Sequence, residues 1–485
     1  MGGNPDSHWI LLTCVQTLPS DPSPEPEASR LALTPFHGVR YAADRVSGVA
    51  NVTSPPYDVI GPGNVQRLLA EPHNVVRLIL PGAESAQPPD RFPGPEDYQA
   101  AAGTLHDWLG SGVLFRDPRP ALYVYEQSVP ADGAAGWEVV QRGLIGALRL
   151  VPPTAPSVLP HEDVMPGPVT GRRELMETTS ANLEPIFLLY DSGENAARPA
   201  AAARRDVPEL GPHGAAGTRG GATGLVDRVA DGREPLLTAV TDDGLRHRLW
   251  AMTDPAEHET VASDLAGRSA LIADGHHRYA AYLQLQERKR AAGRGSGPWD
   301  YGLAFLVDSA AYPPRIGAIH RAVPGLSPAH GAKMAEGSFT VRPAGGDLDE
   351  AVTALAEAGR DGPAFLLTDG TEHYLLTEPR ADRAEAAMPG GRSDRWRGLA
   401  ASVLRELLIK AVWGLRDEEP DVTVVQGDPA AAVRAARETD GTAVLCNPVS
   451  AEDVRAVAAN GERMPRKSTS FGPKPRTGVV MRTFG

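Results

Sequence analysis

A chain of 485 residues has room for roughly two to four domains, and a composition of 41% hydrophobic and 22% charged residues excludes a wholly disordered chain and a small disulfide-stapled scaffold. The formal charge of −13 argues against a generic binder of polyanions, so an anionic ligand must be gripped by a local basic site. Two cysteines, Cys14 and Cys446, supply neither a disulfide framework nor a cysteine zinc cluster.

Glycine (51) and proline (45) make up about a fifth of the chain, against roughly 12% on average, which predicts long loops and linkers. Residues 1–30 include the proline-dense PSDPSPEP of 19–26 and predict a disordered extension. The apolar piece Trp9 to Val15 has no basic flank and makes a poor signal peptide. No apolar run approaches the roughly 18 residues of a membrane span, so the expectation is a cytoplasmic protein with no membrane partner.

From Leu31, LALTPFHGVRY predicts a short strand and turn. The PPYDVI of 55–60 predicts a rigid extended loop, followed by a helix with Val65, Leu68 and Leu69 on one face. Asn74 to Leu80 predicts a buried strand, and Tyr98 to Leu109 an amphipathic helix stopped by Gly110. Strands follow at Ala121 to Gln127 and Gly143 to Val151, then a loop from Pro152 to Pro160. A helix around Arg173 to Thr179 leads into a strand ending at Tyr190. Residues 192–224 are low-complexity Gly, Ala, Arg and Pro and predict a flexible linker.

Leu236 to Val240 and His247 to Met252 flank Asp242-Asp243-Gly244, a hairpin signal. A helix over Pro255 to Leu265, a strand over Ser269 to Ala273, a loop at 274–278, a helix to about Arg290 and an apolar strand over Tyr301 to Asp308 come next. Beyond these, strands are predicted at 364–367, 373–377, 421–425 and 442–446, helices at 397–413, 428–437 and 451–460, and a last strand at Val479 to Arg482.

Three segments have the residue types that chemistry needs. The first is Leu271-Ile272-Ala273-Asp274-Gly275-His276-His277-Arg278-Tyr279 at a strand-to-helix junction. Gly275 permits a tight turn, the helix presents its positive N-terminus, and two imidazoles and a guanidinium add donors. This composition suits a phosphate cradle, with Arg278 gripping phosphate oxygens and Asp274 holding magnesium or orienting His277. The bland alternative makes Asp274 a helix cap and the histidines solvated. Adjacent histidines on a helix diverge by about 100°, which disfavours a two-histidine zinc site.

The second segment is Pro160-His161-Glu162-Asp163 with Arg172-Arg173 downstream, an acidic pair suited to general-base or metal-ligand work. The third is the basic tail around Lys467-Ser468-Thr469-Ser470 and Lys474, two cations with hydroxyls between them. Thr178, Thr179, Ser180 and Asn182 can cap backbone or line a pocket, and His320-Arg321 is a weaker candidate. No P-loop, H-E-x-x-H or G-x-S-x-G pattern occurs, against P-loop NTPases, zincins and ordinary serine hydrolases.

Five separated strings resemble the family known as domain of unknown function 1015: PPYDVI at 55–60, HE with Arg172-Arg173 and TSANLEPIFLLYD at 179–191, IADGHHRYAAYL at 272–283, His320-Arg321, and MPRKSTSFGPKP at 464–475. Within them, DGHHR with an upstream PHE is similar to the ParB/sulfiredoxin superfamily and especially to the free-serine kinases. That resemblance implies nucleotide phosphates and magnesium held by Asp274, His276, His277 and Arg278; beside it, Gly275 at the turn and Lys467, Ser468, Thr469 and Lys474 of the basic tail are candidate nucleotide contacts. It implies Glu162 as the base, with His161 or Asp163 as alternatives and Asp274 and His277 as further catalytic candidates. Tyr57, Asp58, Arg172, Arg173 and Asn182 are the candidate substrate contacts. The two motifs lie roughly 110 residues apart, farther than in the small kinases.

The expected fold is α/β with mixed sheets, in which a ParB/sulfiredoxin-like nucleotide core is embedded in a larger fold. Its regions would be 31–191 with the HE motif, the linker 192–224, the DGHHR segment 225–325 and a C-terminal α/β region 326–485. The expected function is an ATP- or ADP-dependent kinase acting on a small hydroxyl metabolite, serine or a serine-like compound first. A non-catalytic nucleotide switch and another ATP-using enzyme are the alternatives. The charge speaks against nucleic acid as a partner.

Overall fold

The computed structural model describes residues 30–84, 93–131, 133, 136–193 and 220–485. The expected extension, save Arg30, and most of the expected linker lie outside the described residues.

The centre is a nine-stranded mixed sheet. In spatial order it runs Val158–Leu159, Ala270–Asp274, Ile186–Tyr190, Tyr301–Asp308, Trp137–Arg149, Leu122–Pro130, Arg246–Met252 and Leu237–Val240, with Leu33–Thr34 also paired to Trp137–Arg149. Ile186–Tyr190 runs parallel to Tyr301–Asp308 and antiparallel to Ala270–Asp274. Alternation along each strand assigns the two faces. Ile186, Leu188, Ile272, Ala304 and Leu306 pack under helices Pro166–Thr179, Gly221–Gly232, Pro255–Leu265 and His276–Ala291. Phe187, Leu189, Leu271, Phe305 and Val307 face the other way, into a core shared with the C-terminal half.

That half contains a six-stranded antiparallel sheet ordered Thr340–Pro343, His373–Thr377, Phe365–Thr368, Thr442–Cys446, Ile319–Val323 and Thr423–Gln426. The tail then leaves it. Phe471–Gly472 pairs with Arg315–Ile316, and Met481–Thr483 joins Gly38–Tyr41, Leu114–Arg116 and Ala181–Asn182 in a four-stranded sheet. Segments 31–191 and 225–325, expected as separate regions, therefore share one sheet, and the last residues are woven back into the N-terminal region.

Several elements depart from expectation. Asn74 to Leu80 is not a strand: Val76–Ile79 is a helical turn. The Asn74 side chain accepts from the Val76 amide at 2.9 Å and donates to the Asn51 carbonyl at 2.7 Å, a local cap that outweighs the strand preference of a short apolar run. The helix expected over 397–413 is broken into Asp394–Gly398, Ala400–Ser402 and a wider-wound Val403–Val412. Helices Pro328–Ala335 and Leu348–Ala358 were not anticipated, although Ser327 and Asp347 cap them in the ordinary way. Among the described residues no helix is long and apolar enough to cross a membrane.

Candidate functional site

Strand Ala270–Asp274 ends in the interior, and the chain must turn at once into helix His276–Ala291. Gly275 makes that turn with φ of 94°. The positive φ favours glycine, and a Cβ there would be crowded, 3.0 Å from the Ile186 side chain and 3.1 Å from Arg278 Nε. No side chain caps the helix, which excludes the capping role for Asp274 and leaves the first-turn amides available.

The Asp274 carboxylate is engaged on both oxygens. Arg278 binds Oδ2, and Lys474 Nζ lies 2.5 Å from Oδ1 and 3.1 Å from Asp58 Oδ2. Burial alone would raise the Asp274 pKa, but the two cations outweigh it and hold the group below the usual carboxylate range. Burial opposes the charge on Lys474 as well, and the two carboxylates override it and raise its pKa. Arg278 is 2% exposed, and its other terminal nitrogen donates to the Pro185 carbonyl at 2.5 Å. The expectation that Arg278 grips phosphate is corrected: both terminal nitrogens are committed inside the protein, where they brace Asp274 against the neighbouring strand, while the buried Nε has no partner among the described residues.

The two histidines fasten the 161–165 loop to the helix. His276 Nε2 accepts from the His161 amide at 3.2 Å, and His277 Nε2 accepts from the Met165 amide at 3.0 Å. Both rings are thus neutral with the proton on Nδ1. Burial pushes the His276 pKa down to about 3 and lowers that of His277. His276 Nδ1 lies 3.7 Å from Glu162 Oε2. Glu162 Oε1 accepts from Thr469 Oγ1 at 2.9 Å, and the same hydroxyl lies 2.9 Å from His161 Nε2. His161 is fully buried, with its pKa pushed down to about 3 by burial.

The tail arrives with Lys467 at φ of 52°. Its carbonyl accepts from Arg321 at 3.2 Å, and Arg321 is held by Asp417 at 2.6 Å. The His320-Arg321 signal therefore marks a buried strut for the tail. His320 Nδ1 accepts the Cys446 amide within the six-stranded sheet.

These groups enclose a cavity of about 210 Å³. Of the expected residues, the strand-to-helix segment Asp274 to Arg278, Tyr57, Asp58 and Glu162 line it, with Lys467, Thr469 and Lys474 from the tail. Five others do not. His161 lies beneath the wall. Arg172 sits 4.1 Å over the Tyr57 ring and donates to the Ile79 carbonyl. Arg173 pairs with Glu174 and Glu177, and Asn182 accepts from Arg482 at 2.8 Å. Ser468 donates to the Pro465 carbonyl at 2.6 Å. In each case an internal partner holds the polar group, which removes it from ligand contact. Asp163, the alternative base, is exposed and outside the wall.

Gln426, Met165, Pro168 and Phe471 line the cavity without having been candidates, beside Ser470 of the basic tail. Ser470 and Phe471 belong to the tail string. Gln426 ends a strand of the six-stranded sheet, and nothing local to it signals the site. Glu184, within TSANLEPIFLLYD, was also passed over. It is buried and accepts the Tyr57 amide at 3.0 Å, which sets the position of the 55–60 loop.

The donor set does not fit a magnesium ion held by the protein. Both Asp274 oxygens are occupied by cationic side chains, and among the described residues no group of three or more His, Cys, Asp or Glu can hold a metal.

The buried histidines carry a pH consequence. His161 and His276 at about 3, and His247 at about 4 between Tyr125 and Thr241, all lie below the ordinary imidazole value. The unfolded chain binds protons that the folded rings refuse, so stability rises with pH in this window. Thermal melts are expected to show the histidine contribution intact above about pH 7 and falling steadily as pH drops from about 6.5. His247→Gln should flatten part of that slope.

The family described as Protein of unknown function (DUF1015) matches residues 33–211 and 214–402. A search of curated proteins finds no match. Solved structures with some likeness include a free serine kinase in complex with AMP, at 13% identity and TM-score 0.31, covering 65% of this chain and 84% of that one. A conserved hypothetical protein from Pyrococcus furiosus has 12% identity and TM-score 0.30, covering 67% and 90%. SbnI with a C-terminal truncation, from Staphylococcus aureus, has 12% identity and TM-score 0.30, covering 67% and 81%. The family match spans most of the chain and both motif segments of the cavity wall up to the tail, and the chain belongs to the DUF1015 family.

Proposed function

We propose that the protein is a nucleotide-dependent kinase that transfers a phosphoryl group from ATP or ADP to the hydroxyl of a small metabolite, serine or a serine-like compound first. One observation carries this reading. The uncapped N-terminus of helix His276–Ala291, the Lys467 ammonium and the Glu162 carboxylate, from three distant segments, line one cavity of about 210 Å³. The similarity of DGHHR and PHE to the free-serine kinases supports phosphates at this turn and Glu162 as the base.

The phosphates belong at the helix N-terminus, where first-turn amides and the helix dipole favour anions. Lys467 is exposed and, among the described residues, forms no ion pair, so its charge is available to them. The His277 Nδ1–H is a further donor. Phosphoryl transfer rests mainly on such positioning and charge neutralisation. The acceptor hydroxyl belongs at Glu162, whose carboxylate already accepts a hydrogen bond from the Thr469 hydroxyl. Magnesium enters this reading only as the nucleotide's own counter-ion. The volume suits phosphates and a small acceptor, with the nucleoside toward the rim, where Met165 is 41% exposed.

The test is calorimetry with ATP and ADP, followed by a screen of hydroxyl metabolites, serine among them, with mass-spectrometric detection of transferred phosphate. Binding and a phosphorylated product are expected. Absence of nucleotide binding overturns the reading. Hydrolysis without a phosphorylated small product favours a nucleotide switch instead.

A further inference from the structure

We infer that Thr469 is itself a phosphoryl acceptor, so that the protein modifies the wall of its own cavity. The inference rests on the proposed function for its co-reactant, a nucleoside di- or triphosphate, and on a separate geometric fact for its target. Thr469 Oγ1 has Glu162 Oε1 at 2.9 Å and His161 Nε2 at 2.9 Å. A threonine hydroxyl has one proton, and here a carboxylate and an imidazole both border it. A hydroxyl next to a base that is itself held in place is the arrangement of an activated nucleophile. Glu162 is positioned by this same bond to Thr469, with the neutral His276 ring beside it at 3.7 Å.

The neighbouring hydroxyls are arranged differently. Ser468 is buried and gives its proton to the Pro465 carbonyl. Ser470 lines the cavity, but among the described residues its hydroxyl bonds neither carboxylate nor imidazole. Thr469 is thus distinguished from both by its partners and not by its place in the string.

In the step, Thr469 Oγ1 attacks the terminal phosphorus and forms the new O–P bond. The bond from that phosphorus to the bridging oxygen breaks, and the shortened nucleotide leaves with the electron pair. The Thr469 proton passes to Glu162 Oε1, since burial opposes charging His161. The product is phosphothreonine, with about −1.5 to −2 charge at neutral pH. Glu162 repels it, while Lys467 and the helix N-terminus attract it, so it takes the place meant for the nucleotide's phosphate. The modification is therefore self-limiting and closes the site.

The experiment uses the full chain, calorimetry first and then incubation with ATP or ADP and magnesium, followed by intact-mass measurement and peptide mapping. The expected result is a gain of one phosphoryl group on Thr469, its retention on the new serine in Thr469→Ser, its absence in Thr469→Val, and loss of nucleotide binding by the modified protein. If Thr469 only positions Glu162, wild-type protein that binds nucleotide stays unmodified. That outcome, or a phosphoryl group mapped to Ser468 or Ser470, overturns the inference and leaves the kinase reading intact. No heat with either nucleotide overturns both.

Discussion

Glu162→Gln is expected to slow phosphoryl transfer by roughly 10²–10⁴-fold, the range a positioned general base contributes. Nucleotide affinity should change little, because the amide carbonyl still accepts the Thr469 hydroxyl at the position of Oε1. The measurement is a transfer rate under saturating nucleotide beside a calorimetric affinity. Asp163→Asn is the control, since Asp163 is exposed and outside the cavity wall. Equal loss in both variants would mean that neither is the base. Loss in Asp163→Asn alone would move the role to that residue.

Arg278→Ala is expected to act on folding before it acts on ligand binding. The side chain is fully buried, and its removal strips donors from Asp274 and from the Pro185 carbonyl together. Breaking a buried ion pair from one side costs about 3–5 kcal/mol, a large part of a typical net stability of about 5–15 kcal/mol. Lys474 remains on the other Asp274 oxygen, which places the loss toward the lower end. Denaturant unfolding checks this. Arg278→Lys keeps the charge but not the two-directed reach, and should fall between the two. A variant with wild-type stability and lost nucleotide affinity would show that Arg278 binds ligand and is not a brace.

The two outcomes separate kinds of site residue that look alike in the string. Glu162 and Arg278 both lie in polar motifs, and motif reading gives both a ligand. Arg278 is at an inward-facing position of the helix, opposite a buried aspartate one turn earlier, and a guanidinium there must find internal acceptors. Arg172 follows the same logic under Tyr57, and Asn182 under Arg482. Hydrophobic patterning located the strands and helices that carry these groups, because apolar periodicity reports burial directly. It failed at Asn74 to Leu80, where a side-chain cap decides between turn and strand.

The sequence by itself determined the mixed α/β character, the strand-to-helix junction at Asp274 to Arg278, and a tight turn permitted by Gly275. These depend on apolar periodicity, local backbone preference and turn chemistry, which act over a few residues. It also marked the tail as basic against an acidic chain. Only the tertiary structure decided which charges are free. Lys474 closes Asp58 and Asp274 together, whereas Lys467, held by its carbonyl to Arg321, keeps its ammonium for the cavity. The reason is physical. Whether a charged side chain serves the fold or a ligand depends on its burial and on the opposite charge brought against it. Both come from segments that are remote in sequence, such as the tail that returns past the DGHHR turn to pair with Gly38–Tyr41.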